Sequence, residues 1–143
     1  MVKTFFILFG VLAFCQAACG QYVSKVWVAD RKDGTYTNPV LHADYSDPDV
    51  CVVGDDFYMT ASSFNCTPGL PILHSKDLVN WELVNYALKV IEPEEFYNKP
   101  QHGKGVWAPS IRCHNGEFYI YWGDPDFGIF MVKAKDPLGE WEK

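Results

Sequence analysis

Asp47 stands in Tyr45-Ser46-Asp47-Pro48-Asp49, directly ahead of the apolar run Val50 to Val53. A carboxylate at the foot of a strand is carried by stiff backbone, and in its ionised form it can take a proton from water. Asp49 falls one step further on, and because strand side chains alternate between faces the two acids need not share a surface. By pattern alone, Asp47 also fits a turn or cap residue. Further acids gather in Glu92-Pro93-Glu94-Glu95 and in Gly123-Asp124-Pro125-Asp126. The first group reads as a solvated charged connection, and Asp124 and Asp126 read equally well as turn residues. Phe64 and Trp107 place flat rings in predicted loops beside inner strands, and His74 closes a short apolar run. Each of these three also fits a structural role: core packing for the rings, a satisfied hydrogen bond for the histidine.

The elements that must hold these residues come from a repeat. Phe57-Tyr58 returns as Phe118-Tyr119, Gly69 as Gly128, Lys76-Asp77 as Lys135-Asp136, and Trp81-Glu82 as Trp141-Glu142, at offsets of 59 to 61 residues. Four landmarks in one order at near-constant spacing mark a repeat architecture. The first unit reads as strands at Val50 to Val53, Phe57 to Ala61, Leu70 to His74 and Trp81 to Val84, separated by turn residues. The second has the two-residue hairpin signal Asn115-Gly116, then strands at Phe118 to Trp122, Ile129 to Lys133 and from Trp141 onward. The predicted class is all-β, with four antiparallel strands per repeat, which is the grammar of a propeller blade. Pro48 and Pro109 share the repeat offset, so Tyr45 to Asp49 and Trp107-Ala108-Pro109-Ser110 are each expected just before an innermost strand. A propeller closes with roughly four to eight blades, so two blades imply a truncated chain.

Composition narrows the remaining choices. The 48% hydrophobic and 16% aromatic content belongs to a folded chain rather than a disordered one. A net charge of −6 excludes a phosphate-binding surface, so nucleic acid is not an expected partner. Lys3, the apolar stretch Phe5 to Phe14 and the small residues Ala17, Ala18 and Gly20 have the layout of a secretory signal peptide, too short to span a bilayer comfortably. Cys19 after two alanines leaves a lipid anchor open, although Gln16 suits a lipoprotein signal poorly. Secretion, or a periplasmic or cell-surface location, is the expectation. The mature chain would keep Cys51, Cys66 and Cys113, whose odd number and wide spacing suggest neither a disulfide framework nor zinc. Asn65-Cys66-Thr67 fits a glycosylation sequon. The expected division is a signal peptide at 1–20, a lead-in at 21–45 and two blades at 46–143.

Several of these stretches resemble glycoside hydrolase family 43. They are Asn38-Pro39-Val40, Tyr45-Ser46-Asp47-Pro48-Asp49-Val50, Thr60-Ala61-Ser62-Ser63-Phe64, Gly105-Val106-Trp107-Ala108-Pro109 and the long run from Pro68 to Trp81, with His74-Ser75-Lys76-Asp77-Leu78-Val79-Asn80-Trp81 at its end. The last of these is the most specific signal, and the resemblance runs from about Asn38 to Lys143. It implies a five-bladed propeller that hydrolyses xylose- or arabinose-containing polysaccharide with inversion, closest in motif to β-xylosidase-type members. The family's general base maps onto Asp47. Phe64, Trp107 and His74 become candidate sugar contacts.

The other catalytic carboxylates implied by the resemblance are not matched. The general acid is a Glu of a later blade, without counterpart here. The Asp that tunes the acid's pKa is expected after Trp-Ala-Pro, where this chain has Ser110, and a hydroxyl cannot shift a neighbour by charge. Asp124 or Asp126 are candidate substitutes that read equally well as turn residues, and the role is left unassigned. No cofactor takes part; some family members hold a metal ion in the channel, and nothing in the sequence identifies its ligands. The expectation is a glycosidase as a full-length protein and an inactive 143-residue piece. A carbohydrate-binding propeller without catalysis, or an incomplete structural fragment, are the alternatives.

Overall fold

The computed structural model describes residues 26–64 and 67–143. The predicted signal peptide, Cys66 and the sequon at Asn65 therefore lie outside the described residues. Among the described residues no helix is long and apolar enough to cross a membrane.

Two four-stranded antiparallel sheets make up the fold. The first joins β1 (Asp49–Val53), β2 (Asp56–Thr60), β4 (Gly69–Ser75) and β5 (Trp81–Leu88) in that spatial order. The second joins β3 (Ser63–Phe64), β6 (Gly105–His114), β7 (Glu117–Asp124) and β8 (Gly128–Ala134). A single helical turn, α1 (Glu94–Tyr97), lies on the connection between them, with Glu94 and Glu95 exposed in its first turn. Both tight hairpins form where the sequence predicts them. Val53 pairs with Asp56 across Gly54, and His114 pairs with Glu117 across Asn115 and Gly116. Asn115 and Gly116 take φ of 51° and 78°, the left-handed pair that such a turn demands.

The repeat survives in detail at the turn after the third strand of each unit. Oδ1 of Asp77 accepts the backbone N–H groups of Val79 and Asn80, and Oδ1 of Asp136 accepts that of Leu138. The Trp81 indole donates to the Leu78 carbonyl at 3.0 Å, and the Trp141 indole to the Pro137 carbonyl at 3.2 Å. The recurring Lys-Asp and Trp are thus turn-closing residues.

Three elements depart from the expectation. The chain leaves the first sheet after Thr60, and β3 pairs with the start of β6 instead (Ser63 with Val106, Phe64 with Gly105). The fourth strand predicted from Trp141 is reduced to one bridge, Lys133 with Glu142. The Trp107-Ala108-Pro109-Ser110 stretch is not a lead-in but part of β6, whose pairing to β7 is interrupted between Trp107 and Ser110. Pro109 has no N–H to give the ladder, so the strand bulges there and resumes.

One face of each sheet packs against the other. Cys51, Leu70, Ile72, Leu88, Val106, Ile111, Ile120, Trp122 and Val132 form the shared apolar core. Alternation is clean in β7, where Phe118, Ile120 and Trp122 are buried and Tyr121 is exposed. The two innermost strands are also joined by a polar contact. Oδ2 of Asp49 accepts the Ile111 backbone N–H at 2.8 Å and the Arg112 guanidinium at 2.5 Å.

Candidate active site

Two residues before β1, Asp47 adopts φ of 49°, a left-handed conformation that Asp tolerates better than most side chains. Ala108, its partner at the repeat offset of 61 residues, is left-handed too, with φ of 38°. Both inner strands therefore begin or bulge at a backbone reversal. The Ser62 hydroxyl bridges the two reversals. It donates to Oδ2 of Asp47 at 2.8 Å and accepts the Ala108 backbone N–H at 2.9 Å. The Ser62 backbone N–H donates to the Ser46 carbonyl at 3.0 Å, which pins the chain just ahead of Asp47.

Next to Ala108, the Trp107 indole is 44% exposed and donates to the Gly103 carbonyl at 2.9 Å. The Phe64 ring meets it edge to face, centroids 6.3 Å apart. An exposed carboxylate thus shares a rim with two aromatic rings, one of them oriented by its own N–H. Such a pairing suits a sugar, whose apolar ring face packs on an aromatic side chain while its hydroxyls and a water meet the acid. The structure brings together Asp47, Phe64 and Trp107. Both rings sit on strands, Phe64 on β3 and Trp107 on β6, rather than in the loops expected of them.

The remaining candidates fall elsewhere. His74 lies on β4, paired with Tyr58, and its Nε2 meets Oδ1 of Asp56 at 2.5 Å, where Lys76 also binds. Asp56 opens β2 beyond the hairpin, whereas Asp47 precedes β1. The five residues of β1, at about 3.3 Å each, separate the two ends. The His74 ring is thus held in a charge cluster with Asp56 and Lys76, toward the hairpin end of the sheet. Hydrogen bonds from Lys76 first and His74 second hold the Asp56 carboxyl below its ordinary range.

Ser110 follows the β6 bulge and pairs with Tyr121. Asp124 is buried and is fully engaged as a structural acceptor. The Tyr97 hydroxyl donates to its Oδ2, and the backbone N–H groups of Asp126 and Phe127 donate to its Oδ1 at 2.8 and 3.1 Å. Burial, then this carboxylate, push the Tyr97 phenol well above its usual range. Asp126 pairs with Lys104 at 2.9 Å. The bonds of Asp124 to the Asp126 and Phe127 N–H groups are those of a turn residue.

Ser62 was missed by sequence reasoning. Its only signal was its place in Thr60-Ala61-Ser62-Ser63-Phe64, and nothing in that string tells which hydroxyl reaches a neighbouring sheet. An open groove of about 500 Å³ is elsewhere, between the lead-in around Trp27 and the turn at Asp77 to Trp81. Asp47 does not line it. Among the described residues, no three His, Cys, Asp or Glu side chains gather as ligands for a channel ion.

Comparison with known proteins places the chain in a family. Residues 36–143 match Glycosyl hydrolases family 43. The chain is 40% identical over 126 residues to a non-reducing end alpha-L-arabinofuranosidase of Bacteroides ovatus, covering 85% of this chain and 23% of that protein. It is 40% identical over 117 residues to a beta-xylosidase of Formosa agariphila, covering 80% of this chain and 20% of that one. Among solved structures, a bifunctional GH43-CE protein of Bacteroides eggerthii superposes with a TM-score of 0.68 at 36% identity, over 74% of this chain and 14% of its own. The chain spans only about a fifth of the length of these curated relatives. With three quarters of its length matched by the family and its sheets superposing on a member, the chain belongs to glycosyl hydrolases family 43.

Proposed function

We propose that the chain is the N-terminal part of an exported glycosidase that releases xylose or arabinose units from hemicellulose by inversion, with Asp47 as general base. The observation that carries this reading is the Asp47 carboxylate held by Ser62 at a rim shared with Trp107 and Phe64. In an inverting hydrolysis the base deprotonates a water that attacks the anomeric carbon, while an acid on the other face protonates the leaving oxygen. The two carboxyl groups stand about 6.5–9.5 Å apart so that the water fits between. In this reading the acid is a Glu of a later blade; the engagement of Asp49 by Arg112 and Ile111, and of Asp124 by Tyr97 and its own turn, supports it.

In this reading the two sheets are the first blades of a five-bladed propeller. Tyr121 and Ile129 support it: both are exposed on the outward face of the second sheet, Ile129 at 83%, where another blade would cover them. The names of the relatives favour a pentoside over other sugars. The N-terminal charge and apolar pattern favours export, which suits a polymer too large to enter a cell.

Proton NMR of the first sugar released from an aryl pentoside by the complete protein tests the reading. The expected product carries the opposite anomeric configuration to the substrate. Retention would make Asp47 a nucleophile or a bystander and end its assignment as base to a water.

A further inference from the structure

We propose that Ser62 is a positioning residue for catalysis, one that fixes which oxygen of Asp47 takes the proton from water; this rests on the reading of Asp47 as the base. The Ser62 hydroxyl has a single proton to place. Its oxygen accepts the Ala108 N–H at 2.9 Å, and an N–H offers no lone pair in return. The proton is therefore committed to Oδ2 of Asp47, 2.8 Å away, as a hydrogen bond to an ionised acceptor. Oδ1 accepts no hydrogen bond among the described residues, which leaves it as the oxygen that can receive the proton of the attacking water.

Asp47 has need of such a tether. It is exposed, and it lies outside β1, with Pro48 between it and the strand. A free carboxylate there would turn among its rotamers, and reactivity falls steeply once the reacting atoms leave their near-attack geometry. Ser62 holds the region twice, through its backbone to the Ser46 carbonyl and through its hydroxyl to Asp47 itself. Because the hydroxyl is also anchored on Ala108, the residue after Trp107, the base and the exposed indole are registered to one another through one oxygen atom.

The repeat supplies an independent observation. At the offset of 61 residues, Asp47 maps onto Ala108 and Ser62 onto Gly123. Where the first unit has a carboxylate it has the hydroxyl as well, and where the second unit lacks the carboxylate it lacks the hydroxyl. A hydroxyl needed only to build a blade would be wanted in both.

The test compares Ser62→Ala, Ser62→Thr, Asp47→Asn and the Ser62→Ala/Asp47→Asn pair in the complete enzyme, using an aryl pentoside and thermal melts. Ser62→Ala is expected to lower kcat about tenfold to a hundredfold with KM changed less than twofold. Ser62→Thr, which keeps the hydroxyl, is expected to recover most of kcat. In the Asp47→Asn background, losing Ser62 is expected to cost nothing further. If Ser62→Ala keeps wild-type kcat while Asp47→Asn is inactive, the positioning role is overturned and the base assignment stands. If Asp47→Asn itself keeps wild-type turnover, the base assignment fails first. A loss confined to KM also overturns the proposal. Should Ser62→Ala not fold, Ser62→Cys, with a weaker donor of similar size, carries the same kcat comparison.

Discussion

At the scale of single residues, charge in this chain is mostly spent on holding turns. Asp77 shows it best: Asn80 donates to its carboxylate from both side chain and backbone, and Val79 and Ser75 add to them. These donors, Asn80 foremost, lower its pKa from 3.8 to about 2. A depressed carboxylate contributes stability that is full above the unfolded value and is lost as pH falls through the folded one. Asp77→Asn is therefore expected to melt below the wild type at pH 6, with the gap closing between pH 4 and pH 2. Melting curves across that range check it, and a gap independent of pH would contradict the assignment. Asp47 is different in kind, because its donor leaves one carboxylate oxygen open. The sequence singled out Asp47, Phe64 and Trp107 through a family pattern, and Ser62 and Ala108 link Asp47 to the strand that carries Trp107. It did not reveal the partner of His74, since adjacency to a motif does not tell which end of a strand a side chain occupies, and Asp56 lies there.

At the scale of elements, the joint between the two sheets is a contest between a hydrogen bond and an ion pair. Asp49 accepts the Ile111 N–H from within the interface and also meets the exposed Arg112. Removing the carboxylate strands a backbone donor, which costs about 1–3 kcal/mol. Removing the guanidinium loses a mainly exposed ion pair, worth at most about 1 kcal/mol. Asp49→Ala is therefore expected to destabilise more than Arg112→Ala in denaturant titrations, and equal losses would contradict this order. Strands with long patterns and strong turns were legible: β1, β2, β4, β5, β7 and β8 lie close to where alternation, Gly54 and Asn115-Gly116 put them. Two elements were not. A two-residue strand such as β3 has no period to detect, and its pairing with β6 is decided by tertiary position. The start of β6 reads as a loop because Pro109 and a left-handed Ala108 interrupt it, although pairing resumes on both sides.

At the scale of the whole molecule, the repeat explains both the likeness of the sheets and their difference. Two copies of one plan pack face to face and close their turns with the same Asp and Trp. Only the first copy carries a carboxylate at its left-handed reversal, Asp47, where the second has Ala108, so the two copies differ chemically where the architecture does not. The outward face of the second sheet, with Tyr121 and Ile129 exposed, is an unpaired surface of the kind that stacked repeats cover with a neighbour. Sequence could reveal this plan because it is written twice; it could not reveal the single oxygen that joins the copies at the site.

Turnover of an aryl xyloside or arabinofuranoside by the complete protein carrying Asp47→Asn, alongside calorimetric binding of the released sugar, probes the heart of this account. Asn keeps the size of the side chain and the left-handed backbone while removing the proton acceptor. Turnover is expected to fall by at least about a hundredfold, with sugar affinity retained through Trp107 and Phe64. Wild-type turnover in that variant would show that the water loses its proton to another group and that Asp47 is only a turn residue.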